Sequence, residues 1–185
     1  MKKTHTCRKP SGAKDYLALA VTTFGIGYFP IAPGTLGSGL GVIIYLLVSR
    51  LETSLTESSQ NILTAESVAA LWVAFNAVLL LSLTIAGIAA ASRSIELLGD
   101  ADPSAAVVDE VIGQLITFVF LPFSISWHFI LAGFLLFRLF DIWKPFPIDL
   151  LQKLPGGVGI CADDALAGIY AGICLAVIYA GARLL

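Results

Sequence analysis

Pairs of adjacent carboxylates precede two of the apolar segments of this sequence. Asp109 and Glu110 stand before VIGQLITFVF, and Asp163 and Asp164 stand before ALAGIYAGICLAVIYA. A fifth carboxylate, Asp141, closes a third apolar segment. Ionisable groups at such boundaries are costly and usually face a bundle interior or a wet cavity. Because converging carboxylates repel one another, we expect a divalent cation between them. Oxygen-only ligands favour Mg²⁺, with Mn²⁺ or Ca²⁺ as alternatives.

The helix dipole offers a second explanation for four of these carboxylates. Acidic side chains near a helix N-terminus are stabilised by the macrodipole without any metal. This explanation fits, one at a time, the four that precede their predicted helices: Asp109, Glu110, Asp163 and Asp164. It fails for Asp141, because a carboxylate is disfavoured at the C-terminal end of a helix. Taken together, the five carboxylates favour a shared cation site.

Two further features could bind an anion. In YFPIAPGTLGSG we expect a helix that begins near Thr35, with Thr35 as its N-cap. The backbone N–H groups of Gly34 and Thr35 would then face a phosphate, although simple helix packing or a tight turn also explains the glycines. Arg138 and Lys144 could add cationic contacts, or Lys144 could be a surface lysine of a loop. The Walker motif GxxxxGK[ST] is absent.

The composition excludes a water-soluble domain. Of the 185 residues 57% are hydrophobic and 13% are charged, whereas soluble domains carry about 25% charged residues. We therefore expect an integral membrane protein and no nucleic-acid partner. Cys7, Cys161 and Cys174 are too far apart for a CxxC or zinc motif, so we expect reduced thiols.

The apolar segments predict an all-α membrane bundle of five or six helices. Several are shorter than the ~20 residues that cross a bilayer, and we expect these to be short or re-entrant. Residues 1–15 form a basic cytoplasmic tail in this interpretation, and residues 16–185 form one membrane-embedded domain. Predicted helices cover residues 35–49, 68–91, 111–121, 127–140 and 165–182, besides a short segment before residue 30. Predicted loops cover residues 51–66, 92–110 and 141–159.

The basic residues predict the orientation of the chain. With the N-terminus in the cytoplasm, only Arg50 and Arg183 fall outside, and nine basic residues fall inside: Lys2, Lys3, Arg8, Lys9, Lys14, Arg93, Arg138, Lys144 and Lys153. This distribution satisfies the positive-inside rule. The same orientation puts eight acidic residues on the cytoplasmic side: Glu96, Asp100, Asp102, Asp109, Glu110, Asp141, Asp163 and Asp164.

Three blocks of the sequence resemble the phosphatidylglycerophosphatase A family. They are GIGYFPIAPGTLGS, DADPSAAVVDEVIGQ and FRLFDIWKPFPIDLLQKLPGGVGICADDALAG. The resemblance implies a Mg²⁺-dependent, multi-pass lipid phosphatase of the bacterial inner membrane, with its active site facing the cytoplasm. Such an enzyme removes the terminal phosphate from phosphatidylglycerophosphate and leaves phosphatidylglycerol. The implied fold has one central helix surrounded by others.

The resemblance also implies site residues: Thr35, Glu96, Asp109, Glu110, Asp141, Lys144, Asp163 and Asp164. We expect Asp109, Asp163 and Asp164 to be metal ligands, and Glu110 and Asp141 to be ligands or the general base. We expect Lys144 and Arg138 to stabilise the phosphate oxygens beside Gly34 and Thr35, with Glu96 in a supporting role.

Other functions remain as alternatives. A divalent-cation transporter or channel also needs membrane carboxylates, but near the bilayer midplane rather than at one face. A non-catalytic membrane subunit would not need acidic clusters in three separate places. The DxDx-like stretch at residues 100–104 follows a helical pattern instead of the buried strand that a phosphoaspartate-forming hydrolase requires. The sequence leaves the oligomeric state open.

Overall fold

The computed structural model describes residues 7–59, 64–101, 103–122 and 125–184. These residues form helices and connecting turns without any strand, so the predicted all-α class is confirmed. The helices are α1 (Ala13–Thr23), α2 (Pro33–Ser59), α3 (Ala65–Leu98), α4 (Val108–Phe118), α5 (Trp127–Trp143), α6 (Ile148–Leu151) and α7 (Gly157–Leu184), with a 3₁₀ turn at Ile26–Tyr28. The described helices number seven rather than five or six, because the one-turn α6 lies inside the loop predicted at residues 141–159.

Three of the helices are long and apolar enough to cross a membrane: α2, α3 and α7. The 34 residues of α3 extend roughly 50 Å at 1.5 Å per residue, well beyond a hydrocarbon core of about 30 Å. By contrast, α4 has 11 residues and α5 has 17. The start of α4 and the end of α5 lie at the same end of the bundle. The two short helices therefore run in opposite directions, as expected for re-entrant elements.

Helices extend into all three predicted loops. Residues 51–59 continue α2, because the stretch contains no glycine or proline. The hydroxyl groups of Thr53 and Ser58 each donate a hydrogen bond of 2.9 Å to the backbone carbonyl one turn back. These polar side chains therefore find hydrogen-bond partners within the helix. Residues 92–98 likewise continue α3, which ends where Gly99 adopts the left-handed conformation at φ 77°.

The central helix is α4, which packs against α2, α3, α5 and α7. Its first two turns and its N-cap are completely buried at four apolar positions: Val107, Val108, Val111 and Ile112. It crosses α7 at close range through glycine, since a Cβ added to Gly168 would collide with the backbone of α4 at residue 113. A side chain on either helix would therefore force the two backbones apart.

The N-terminal segment is tied to α3 by a buried carboxylate. Asp15 accepts hydrogen bonds from the Arg93 Nε at 2.6 Å, the Arg8 Nη2 at 3.0 Å and the Ser11 backbone N–H at 2.9 Å. The Ser11 N–H and then the two guanidinium groups outweigh burial and lower the pKa of Asp15 to about 2. The predicted boundary between tail and domain thus falls inside α1. Residues 1–6, including Lys2 and Lys3, lie outside the described residues.

The exposed face of α1 is apolar and its buried face is polar. Asp15, Thr22 and Thr23 are buried, whereas Tyr16 and Leu17 are 62% and 64% exposed. This is the reverse of a helix on a water-soluble protein. The arrangement fits a helix whose outer face contacts lipid rather than water.

Candidate active site

Several helix ends meet at one end of the bundle and enclose a cavity of about 1020 Å³. Its walls come from the first turn of α2, the end of α3, the first turn of α4, the end of α5 and the second turn of α7. The structure places every sequence-predicted site residue on this wall: Gly34, Thr35, Glu96, Asp109, Glu110, Arg138, Asp141, Lys144, Asp163 and Asp164. Residues from distant parts of the chain therefore share one cavity, as the sequence led us to expect.

Three carboxylates form a compact group on the cavity wall. Asp109, Glu110 and Asp164 each offer an oxygen, and these oxygens lie within 4.8 Å of one another. Among the described residues that line the cavity, three buried carboxylate oxygens have no hydrogen-bond partner: Asp109 Oδ1, Glu110 Oε2 and Asp163 Oδ1. A buried carboxylate oxygen without a partner is strongly unfavourable. An oxygen-only donor set with unpartnered oxygens fits a hard divalent cation.

Burial and mutual repulsion disfavour charge on two of these carboxylates. Burial, followed by the neighbouring Glu110 carboxylate, raises the pKa of Asp109 well above its ordinary value. Burial also raises the pKa of Glu110, to about 7; the charges of Asp164 and Asp141 add to this effect, and a hydrogen bond with Asp109 opposes it. A cation at this position would reverse both effects, because positive charge favours the ionised carboxylates.

The other two carboxylates each have a cationic partner. Lys144 Nζ donates to Asp163 Oδ2 at 2.5 Å, and Arg138 Nη1 donates to Asp141 Oδ2 at 2.6 Å. Burial lowers the pKa of Lys144, but the hydrogen bond and charge of Asp163 outweigh it and raise that pKa above its ordinary value. Lys144 therefore stays protonated. The five carboxylates divide into two paired with cations and three without such a partner.

The position of Asp163 and Asp164 differs from the prediction. Helix α7 begins at Gly157 rather than at residue 165, so both carboxylates lie in its second turn. The influence of the helix dipole is confined to the first turn. The dipole explanation is therefore wrong for this pair. It still applies to Asp109 and Glu110, which lie in the first turn of α4.

The start of α2 also differs from the prediction. The helix begins at Pro33, which has no N–H, so Thr35 is its third residue and not its N-cap. The N–H groups of Thr35 and Leu36 donate to the Ala32 carbonyl at 3.0 and 3.2 Å. The predicted anion cradle therefore lacks the Thr35 N–H.

A different requirement explains the glycine at the start of α2. A Cβ on Gly34 would collide with the Glu110 carboxylate and would lie 3.2 Å from the Arg138 guanidinium. Without that Cβ, both side chains can press against the α2 backbone.

Glu96 lies on the rim of the cavity, away from the three-carboxylate group. Its side chain is 69% exposed, and its Oε2 is 4.0 Å from Arg8 Nε. Asp102, one of the acidic residues predicted to be cytoplasmic, lies outside the described residues.

The sequence analysis did not single out two serines near the site. Ser92 lines the cavity, and its Oγ accepts a hydrogen bond from the Gly157 N–H at 2.8 Å. Ser38 is fully buried, and its Oγ accepts a hydrogen bond from Arg138 Nη1 at 3.4 Å. For Ser38 the available signal was its position one helical turn after Gly34.

The fold and the site define a helical membrane protein with a cavity at one bundle end that is lined by acids and cations. The chain belongs to the phosphatidylglycerophosphatase A family, because the sequence model of that family matches residues 19–179. This makes it a phosphatase, and the buried acidic group agrees with the general metal dependence of the family.

Three curated relatives cover most of the chain. A putative phosphatidylinositol-3-phosphatase of Bacteroides thetaiotaomicron is 38% identical and covers 84% of this chain and 89% of its own. A phosphatidylglycerophosphatase A of Haemophilus influenzae is 37% identical, covering 83% and 82% respectively. Its counterpart in Escherichia coli is 33% identical, covering 82% and 76%. No solved structure is significantly similar to the chain.

Proposed function

We propose that the protein hydrolyses the terminal phosphate monoester of phosphatidylglycerophosphate to give phosphatidylglycerol, in a Mg²⁺-dependent reaction. The observation that carries the proposal is the single cavity in which three carboxylates without cationic partners lie beside Lys144 and Arg138. Family membership and two relatives with the name phosphatidylglycerophosphatase A support the substrate.

The three-carboxylate group of Asp109, Glu110 and Asp164 would hold the Mg²⁺. Their donor atoms are all oxygen, which suits this cation better than softer metals. When bound, Mg²⁺ neutralises phosphate charge and orients water for attack.

Lys144 and Arg138 would bind the phosphate of the substrate. A phosphate monoester carries about 1.5 to 2 negative charges at neutral pH, so charge neutralisation dominates its recognition. Lys144 has donors beyond the one used by Asp163, and Arg138 has donors beyond those that reach Asp141 and Ser38. In this proposal Asp163 and Asp141 hold the two cations in place.

Asp141 is our candidate for the general base. It lies outside the three-carboxylate group yet lines the same cavity. An ionised carboxylate close to the metal, but not needed as its ligand, can accept the proton of the attacking water.

The relative from Bacteroides thetaiotaomicron favours a second candidate substrate, phosphatidylinositol 3-phosphate. Both lipids present a phosphate monoester on a polyol head group, so the same metal and cations would serve either one. A cation channel fits less well, because the carboxylates gather at one end of the bundle. We further propose that this end faces the cytoplasm of a bacterial inner membrane.

The test is phosphate release by the purified protein in lipid nanodiscs. We expect release from phosphatidylglycerophosphate with Mg²⁺ and none with excess EDTA. Asp164→Asn should lose nearly all activity while keeping its helical circular dichroism, because one ligand oxygen loses its charge. Asp149→Asn is the matched control, since Asp149 is half-exposed and faces Lys153 outside the acidic group.

Two results would contradict the proposal. One is full activity in Asp164→Asn. The other is Mg²⁺ flux through liposomes that contain a protein without phosphatase activity. Parallel assays with phosphatidylinositol 3-phosphate would rank the two lipids by kcat/KM.

A further inference from the structure

Helix α4 carries a glutamine that is completely buried and has no hydrogen-bond partner. Among the described residues, neither the Nε2 nor the Oε1 of Gln114 has a group within hydrogen-bond distance. An amide can donate two hydrogen bonds and accept two more, so burying it without any partner is unfavourable. Gln114 also lies behind the cavity wall rather than on it. The site described above therefore leaves this side chain without a role.

Helix packing does not explain the amide of Gln114. The stem of the side chain lies against α2, because a Cβ added to Gly41 would come within 2.8 Å of the Gln114 Cβ and 3.1 Å of its Cγ. A methionine at this position has a side chain of similar length and would fill the same space without burying polar atoms. The contact with α2 thus requires a long side chain, but it does not require an amide.

The same face of α2 also contacts Glu110, one turn before Gln114 on α4. A Cβ on Gly37 would lie 3.2 Å from the Glu110 Cβ, and a Cβ on Gly34 would collide with the Glu110 carboxylate. Glu110 therefore runs along α2 towards the cavity, and Gln114 follows behind it. Long side chains of an α-helix point towards its N-terminus and meet the residue four positions earlier. The Gln114 amide is accordingly directed at the turn that carries Glu110.

Glu110 has an oxygen that can accept a hydrogen bond from this amide. Among the described residues, its buried Oε2 is without a partner. A glutamine and an acidic residue four positions apart on a helix can form a side-chain hydrogen bond. The hydroxyl group on this face of α2 is already used, because Ser38 Oγ donates to the Gly34 carbonyl at 2.9 Å and accepts from Arg138. Two unpartnered groups, one donor and one acceptor, thus lie one turn apart.

We propose that Gln114 is a positioning residue of the Mg²⁺ site, whose Nε2 donates a hydrogen bond to the Glu110 oxygen that does not bind the cation. The inference rests on the proposed function, because it takes Glu110 as a ligand of the cation. A carboxylate that binds a metal usually accepts a hydrogen bond as well, and that bond fixes its orientation. The two groups are not bonded to each other in the structure, so the bond forms as Glu110 takes up its position as a ligand.

The variant Gln114→Met tests this role, because it removes the amide and keeps a long side chain against Gly41. Thr117→Val is the matched control: Thr117 is also completely buried on α4, but its Oγ1 already donates to the Gly113 carbonyl at 3.0 Å. The measurement is thermal unfolding in detergent, with EDTA and across a Mg²⁺ series. We expect Gln114→Met to raise the Mg²⁺ concentration at half-maximal stabilisation by about tenfold or more, as loss of a hydrogen bond to a metal ligand does. Thr117→Val should change that concentration by less than about twofold.

The metal-free protein distinguishes positioning from a purely structural role. With EDTA, Gln114→Met should melt at the temperature of the unmodified chain or above it, because an unfavourable buried amide has been removed. A structural role predicts a lower melting temperature with EDTA and an unchanged Mg²⁺ midpoint, and that result would overturn the proposal. Gln114→Asn keeps the amide but draws it back by one methylene. It should also raise the Mg²⁺ midpoint, and it carries the test if Gln114→Met does not fold.

Hydrolysis in nanodiscs separates this inference from the proposed function. At saturating Mg²⁺ we expect Gln114→Met to lower kcat by about tenfold, because a ligand is misaligned. The KM for phosphatidylglycerophosphate should stay within about twofold, because Lys144 and Arg138 still bind the phosphate. A higher KM with unchanged kcat would overturn the proposal. Absence of phosphate release from any lipid by the unmodified protein, with the shift of the Mg²⁺ midpoint intact, would instead overturn the proposed function.

Discussion

Each carboxylate at the site has an environment that fixes what it can do. Asp163 and Asp141 form ion pairs with Lys144 and Arg138, at 2.5 and 2.6 Å. Asp109, Glu110 and Asp164 have no such partner, and their oxygens converge. Types and spacing in the sequence were enough to gather the carboxylates at one end. The sequence could not predict which carboxylates pair with a cation, because the pairing depends on which basic side chain each helix turn brings close.

The raised pKa of Glu110 predicts that pH and Mg²⁺ act in opposite directions on stability. Without metal, the native state binds more protons than the unfolded chain between the ordinary value of 4.5 and about 7. The free energy of unfolding should therefore fall as pH rises through this window. Mg²⁺ must displace protons from its ligands. Below that pKa, each displaced proton should therefore weaken the apparent Mg²⁺ affinity by up to about tenfold for every unit by which the pH falls.

Thermal unfolding in detergent, with EDTA or with a Mg²⁺ series, measures both effects. Glu110→Gln should lose most of the Mg²⁺ stabilisation, and Asp149→Asn should retain it. Equal Mg²⁺ affinity at about pH 6 and about pH 8 would contradict the assignment of this group as the ligand set.

At the scale of helices, glycine accounts for the error at the start of α7. The segment PGGVG before the last span has the composition of a loop, yet Gly157 and Gly159 are helical residues of α7. A Cβ on Gly157 would collide with the α3 backbone at Ile88. Glycine at a turn and glycine at a helix contact are indistinguishable in one sequence. The apolar runs, by contrast, located the middle of every long helix, although α2, α3 and α7 extend beyond the predicted bounds.

The crossing of α4 and α7 predicts a strong effect at Gly168. A leucine there would overlap the α4 backbone at residue 113 and push Asp164 away from Asp109. Gly168→Leu should lower the free energy of unfolding by about 1–3 kcal/mol or more. It should also abolish the stabilisation by Mg²⁺, which requires both carboxylates.

Thermal unfolding with and without Mg²⁺ is again the measurement, and Gly181→Leu is the control at an open position of the same helix. A Gly168→Leu protein with the melting temperature and Mg²⁺ response of the unmodified chain would show that the crossing is looser than described.

At the scale of the whole molecule, the helix directions decide which basic residues lie at the cavity end of the bundle and which lie far from it. The cavity lies at the start of α2, the end of α3 and the start of α7. Arg50 lies roughly 25 Å along α2 from that end, at 1.5 Å per residue. Arg183 lies in the last turn of α7. The two basic residues predicted to be outside are thus far from the cavity, and Arg138, Lys144 and Lys153 line it.

This arrangement predicts which residues a membrane-impermeant maleimide reaches. With Cys7 replaced by serine, Lys153→Cys should be labelled only in inside-out vesicles, because the orientation that we propose puts the cavity end in the cytoplasm. Arg50→Cys should be labelled only in right-side-out vesicles. The reverse pattern would show that the cavity faces the other side of the membrane.

The anchoring of residues 7–15 has a practical consequence for anyone who attaches a reporter to this protein. Arg8 pairs with Asp15 and approaches Glu96, which borders the cavity. A fluorescent domain fused just ahead of Cys7 would lie beside the rim of the cavity and obstruct access to it. One fused behind Leu184, at the opposite pole, would leave the entrance clear but report from the other compartment.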